Sequence, residues 1–237
     1  MKKQLLVALA AGFIGTSAMA QSAFEGFYGQ LGVGYENDTF GSPAINVGTH
    51  SNGSGGGSSG WSNGNSSSKG GFSGAIGLGY NMSIAPQFLL GLGVDYNPLS
   101  ITSSNSTLGD SGGYSNGKVS NRFNVFVTPG YEIDKDKLVY LKAGYSMEKV
   151  QSNINNVWQN NYNQSSNASG YIVGLGYKQL LDKNLYFFGE GNYMGYSQTT
   201  LNSQAMVTGN SGGDTQSLQT RVTPSAYQFL VGVGYKF

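Results

Sequence analysis

Cysteine is absent from the 237 residues, and histidine occurs once, at His50. Disulfides and thiolate metal sites are therefore excluded, and a lone imidazole cannot assemble a transition-metal centre. Charge is also scarce. Asp, Glu, Lys and Arg make up 11% of the chain, where a soluble domain carries about a quarter. Thirteen basic residues face twelve acidic ones, so no cationic field exists to attract nucleic acid. After residue 20 no apolar run approaches the ~18 residues of a membrane helix. If the chain enters a bilayer, only strands closed on themselves can carry it.

Glycine (38 residues), Tyr (16) and Phe (12) are abundant instead. Few charges with many aromatics suit a wall that faces lipid, where charge is costly and aromatics collect at the interfaces. The first twenty residues read as a secretory leader. Lys2 and Lys3 precede an apolar stretch from Leu5 to Ile14, and Ala18-Met19-Ala20 forms a small-x-small cleavage site. Its loss leaves 11 basic against 12 acidic residues, a formal charge of −1. Residues 21–237 are expected to form one domain.

That domain alternates with a period of two. Phe27 to Tyr35, Phe72 to Tyr80, Phe88 to Tyr96, Phe123 to Tyr131, Val139 to Met147, Tyr171 to Tyr177, Phe187 to Tyr193 and Tyr227 to Phe237 each place apolar side chains on one face and small or polar ones on the other. The pattern predicts eight strands, the smallest bacterial barrel. Aromatics recur eight residues apart at 27/35, 72/80, 88/96, 123/131 and 227/235. That spacing rises about 26 Å along a strand, or roughly 20 Å across a membrane at a ~40° tilt. The connections alternate long (37–69, 100–120, 150–168, 199–222) and short (83–87, 134–137, 181–184), as expected for extracellular loops and periplasmic turns. The Gly, Ser and Asn tract from Ser51 to Ser68 is expected to be mobile.

Charges fall on the face expected to point inward: Glu36, Asp95, Arg122, Glu132, Lys142, Glu148, Lys178, Glu190 and Lys236. An eight-stranded interior is only wide enough to fill with side chains, so buried charges there must pair or keep water. A network of Asp95, Arg122, Glu132, Lys142, Glu148, Lys178 and Glu190 is expected to plug the lumen. Gly-x-Gly-Tyr recurs at 32–35, 77–80, 174–177 and 232–235. With no helix after it, this is no dinucleotide site; inward glycines make room for large neighbours. His50 lies among Gly and Ser with no carboxylate to orient it, which offers no nucleophile and base pair. No catalytic, cofactor-binding or metal-binding residue is expected.

These strands, with the Gly-x-Gly-Tyr repeats and the terminal Tyr227, Phe229, Val231, Val233, Tyr235 and Phe237, resemble the small outer-membrane β-barrel family. It includes the membrane domain of outer membrane protein A and opacity-protein-like surface antigens. The resemblance implies an all-β, antiparallel up-and-down barrel in the outer membrane of a Gram-negative cell, surrounded by lipid and lipopolysaccharide. It implies that these six alternating residues, Tyr227 to Phe237, are read by the outer-membrane assembly machinery after escort by periplasmic chaperones. The function expected is structural or surface-exposed, adhesin- or antigen-like, with glycan or host-surface contact through the loops; the loop aromatics Trp61, Trp158 and Tyr162 are expected to pack within their loops, stacking on sugars or a host protein being the alternative. A small porin-like diffusion channel is the alternative, and a lipid-modifying enzyme a more distant one.

Overall fold

The structure, a computed structural model, describes residues 22–41, 44–50, 59–63, 66–103, 106–108, 113–157, 160–207 and 214–237. The leader expected at 1–20, most of the Gly- and Ser-rich tract, and Trp158 lie outside the described residues. The strands in chain order are β1 (Gly26–Phe40), β2 (Ala44–His50), β3 (Ser59–Asn63), β4 (Ser67–Ala85), β5 (Phe88–Asn97), β6 (Ile101–Thr102), β7 (Ser106–Leu108), β8 (Gly113–Asp134), β9 (Lys137–Val157), β10 (Asn160–Leu180), β11 (Leu185–Tyr196), β12 (Thr199–Val207), β13 (Asp214–Val222) and β14 (Pro224–Lys236).

β1, β4, β5, β8, β9, β10, β11 and β14 form a closed antiparallel ring, because β5 pairs with β8 and the first strand pairs with the last. These are the eight strands expected from the alternation. Closure leaves no unpaired edge in the ring, which lipid would not tolerate. The register aligns the aromatics in two belts. Phe27 stands opposite Tyr80 and Tyr35 opposite Phe72, while Phe88 faces Tyr131 and Tyr96 faces Phe123. Ring contacts join Phe27 to Tyr80 at 4.8 Å and Tyr193 to Tyr227 at 4.9 Å. Between the belts Leu78, Leu141, Leu175 and Val231 are about 60% exposed, at 59, 58, 62 and 64%. So much uncovered aliphatic surface is the hydrocarbon-facing band.

The connections expected as long loops carry strands of their own. β8 has 22 residues, and about 3.3 Å per residue gives it roughly 70 Å, well over twice the apolar band. β9 and β10 continue beside it as a long hairpin. β2, β3, β12 and β13 form a second sheet in the order β12-β13-β2-β3. His50 therefore ends a strand, and Trp61 and Tyr162 lie on β3 and β10. The composition argument missed this because backbone pairing between long hairpins does not require an apolar face. The opposite end has short turns: Pro86-Gln87, with Gln87 at φ 66°, Lys135-Asp136, and 181–184.

Candidate functional site: the barrel interior

The interior is built in layers. At the short-turn mouth the N-terminal segment folds inward. Phe24 packs with Leu89, Leu138 and Leu180. Asn81 Nδ2 donates to the Phe24 carbonyl at 3.1 Å, and Ser83 Oγ donates to Glu25 at 2.6 Å. Gly26, at φ +122°, makes the bend that turns this segment into β1. Above it sit Tyr28, Tyr186, Phe188 and Leu230. These rings lie against the inward glycines of neighbouring strands. A Cβ on Gly32 would come within 3.1 Å of Phe188, one on Gly93 within 2.6 Å of Phe126, and those on Gly176 and Gly234 would overlap Tyr140 and Tyr186.

Two ion clusters follow. Lys142 Nζ lies 2.7 Å from Asp95 Oδ2 and 2.9 Å from Glu190 Oε1, and 4.0 Å over the Phe126 ring. Asn124 donates to Asp95 at 2.5 Å, and Tyr140 donates to Glu190 at 2.7 Å. In the second cluster Arg122 Nη2 lies 2.7 Å from Glu148 Oε2 and 3.1 Å from Asp38 Oδ1, and Nη1 pairs with Glu36. The Arg122 Nε donates to the Tyr196 hydroxyl at 2.8 Å. Amides join the clusters. Asn192 Nδ2 donates to Glu190 at 2.7 Å and to Gln228 Oε1 at 3.2 Å, and Gln228 Nε2 donates to Glu36 at 2.7 Å and Ser73 at 2.9 Å. One hydrogen-bonded web thus reaches β1, β4, β5, β8, β9, β11 and β14. β10 contributes glycines that make room for Asn192 and Tyr140.

Beyond Arg122, towards the long hairpins, the lumen turns apolar again with Val150, Ala168, Ile172, Met194, Leu201, Val222 and Ala226. A cleft lies beside Arg122, lined by Glu36, Phe72, Asn97, Leu99, Ile101, Val119 and Ser120. Its interior, about 10 Å³, has room for about one water molecule.

Of the charges assigned inward from the sequence, Asp95, Arg122, Lys142, Glu148 and Glu190 enter this web, as does Glu36. Lys178 stands apart: it is buried, with its ammonium 4.0 Å over Tyr28 and about 5 Å from Tyr186 and Tyr140, at 5.0 and 5.1 Å. Glu132 does not join the others. It is half-buried near the short-turn mouth, where it accepts from the Ser22 hydroxyl. Lys236 is half-buried, with no ion pair among the described residues. Asp38 was missed because the alternation was read only one residue past Tyr35, to Glu36, although its parity with Glu36 marks it as inward. Tyr227, Phe229, Val231, Val233 and Tyr235 all point outward from β14, each about half exposed or more. No cluster of three or more His, Cys, Asp or Glu suited to a metal occurs among the described residues.

A family model described as outer membrane protein β-barrel domain matches residues 6–237. No curated protein sequence is detectably similar. Among solved structures the chain is similar to the outer membrane protein OprG from Pseudomonas aeruginosa, at 13% identity and TM-score 0.51, over 92% of this chain and 98% of that one. The outer membrane protease OmpT from Escherichia coli aligns at 12% identity and TM-score 0.50, over 94% and 100%. Neisserial surface protein A aligns at 15% identity and TM-score 0.46, over 92% and 100%. At these identities the likeness to OprG and OmpT is one of fold.

Proposed function

The chain belongs to the outer membrane protein β-barrel domain family, and we propose that this member is a closed, non-conducting and non-enzymatic barrel that displays its long hairpins at the cell surface. It is an outer-membrane protein, embedded in lipid. The observation that carries the proposal is the layered interior. Phe24 and its neighbours cover one mouth, the Ile172 and Met194 cluster covers the other, and the Lys142 and Arg122 clusters fill the space between. An eight-stranded bore leaves no room for a second content. The display reading rests on the long β8–β9–β10 hairpins and the separate sheet of β2, β3, β12 and β13, which suit contact with glycans or host surfaces. Residues 1–20 act as a cleaved leader in this reading. The outward row from Tyr227 to Phe237 on the last strand serves recognition by the assembly machinery after chaperone escort.

Liposome swelling tests the closure. Vesicles containing refolded residues 21–237 and loaded with a polymer should swell in arabinose no faster than protein-free vesicles. Swelling that scales with protein would establish the diffusion-channel reading in its place.

A further inference from the structure

The outer face of β8, β9 and β10 beyond the second aromatic belt carries a feature that closure does not use. β8 has a bulge between Ser120 and Phe123, with Asn121 at φ 53°. The extra residue reverses the alternation. Arg122 points into the lumen below it, while Val119 points in above it and pairs with the equally buried Val150. Lys118 and Ser120 are therefore turned outward. Lys149 stands opposite Ser120, Gln151 opposite Lys118 and Asn153 opposite Asn116. On the next strand Asn167 stands opposite Lys149 and Ser165 opposite Gln151.

The result is an outward patch with Lys118 and Lys149 as diagonal neighbours, framed by amides and hydroxyls. The carboxylates around Arg122, Glu36, Asp38 and Glu148, face inward and are held by it. Neither lysine has an ion pair among the described residues, whereas Lys137 in the short turn pairs with Asp134 and Asp136 at 3.4 and 3.5 Å. Two like charges side by side on a sheet are unfavourable unless an anion joins them.

Height identifies the anion. Lys149 lies four residues beyond Tyr145, roughly 10 Å further along the membrane normal at a ~40° tilt. Below the lysines run Tyr145, Leu141, Val125, Val127, Tyr171 and Val173, all exposed to lipid. Read outward, the strip offers aliphatic surface, aromatic rings, ammonium groups and then amides. We propose that it is a binding site for the phosphorylated glycolipid of the outer leaflet. Its acyl chains lie along the aliphatic strip, a phosphate of its lipid A moiety bridges Lys118 and Lys149, and its sugars meet Gln151, Asn153, Ser165 and Asn167.

Native mass spectrometry of refolded residues 21–237, titrated with bisphosphorylated lipid A in zwitterionic micelles, tests this. Each lysine near a charged surface contributes about five-fold, so K118Q/K149Q should bind roughly twenty-five-fold more weakly. K118R/K149R should retain binding. Dephosphorylated lipid A should bind the unaltered protein as weakly as the double glutamine variant binds the phosphorylated form. Heat-modifiable gel migration checks folding, and the single variants Lys118→Gln and Lys149→Gln supply the same reading at five-fold each. Equal binding by the unaltered protein and K118Q/K149Q would overturn the proposal, as would indifference to the phosphates. Tighter lysine-dependent binding of a sulfated oligosaccharide than of lipid A would overturn the choice of occupant.

Discussion

Arg122 and Lys178 are both buried cations in one lumen, and they are accommodated in opposite ways. Arg122 gathers Glu36 and Asp38 from β1 and Glu148 from β9, and adds the Tyr196 hydroxyl from β11. Lys178 has no ion pair among the described residues; its ammonium lies over the ring faces of Tyr28, Tyr140 and Tyr186, with Glu190 acting on it through space. The first solution is directional. Each bond fixes one strand relative to another, and removing the centre strands three acids. The second is not: rings attract a cation through their faces and remain well packed without it. Burial alone does not make a charge structural; what remains after its removal decides that.

The largest expected effect breaks the first arrangement. Arg122→Met should cost about 3–5 kcal/mol, the range for a buried pair that loses one partner, read as a lower urea midpoint for the refolded barrel in detergent or lipid. Lys142→Met should cost somewhat less, about 3 kcal/mol. Only Asp95 and Glu190 are left, and Asn124, Tyr140 and Asn192 still donate to them. No loss in that variant would remove Lys142 as an anchor. Gly176→Val tests the aromatic arrangement through its packing. The added methyl groups collide with Tyr140, and overpacking of this kind costs about 1–3 kcal/mol. Lys178→Met should change stability by about 1 kcal/mol or less in either direction. A loss as large as that of Arg122→Met would erase the contrast between the two cations.

Much of this contrast was legible in the sequence as parity. Asp95, Lys142 and Glu190 fall on the face opposite the outward apolar row of their strands, so alternation alone assigns them inward. The aromatic spacing likewise anticipates the belts, because Tyr35 and Phe72 must meet if both strands cross the same band. Parity says nothing about height along the barrel. Glu132 shares the inward face with Glu148 yet sits near the short-turn mouth with Ser22, and only the register reveals that. Nor does parity survive a bulge: the extra residue near Asn121 reverses β8 beyond it, and the turning outward of Lys118 followed from that alone. The N-terminal seal was hidden for a different reason. Phe24 precedes the first alternating stretch, and four residues carry no period to read. The strands within the long connections were missed because Gly, Ser and Asn composition speaks to hydrophobic burial, not to backbone pairing.

A lumen closed from mouth to mouth makes its plainest prediction in single-channel recording of refolded residues 21–237 in a planar bilayer. With insertion verified independently, the membrane should remain silent under applied voltage. Reproducible conductance steps would mean that water threads the Lys142 and Arg122 clusters, and the account of a sealed barrel would be wrong.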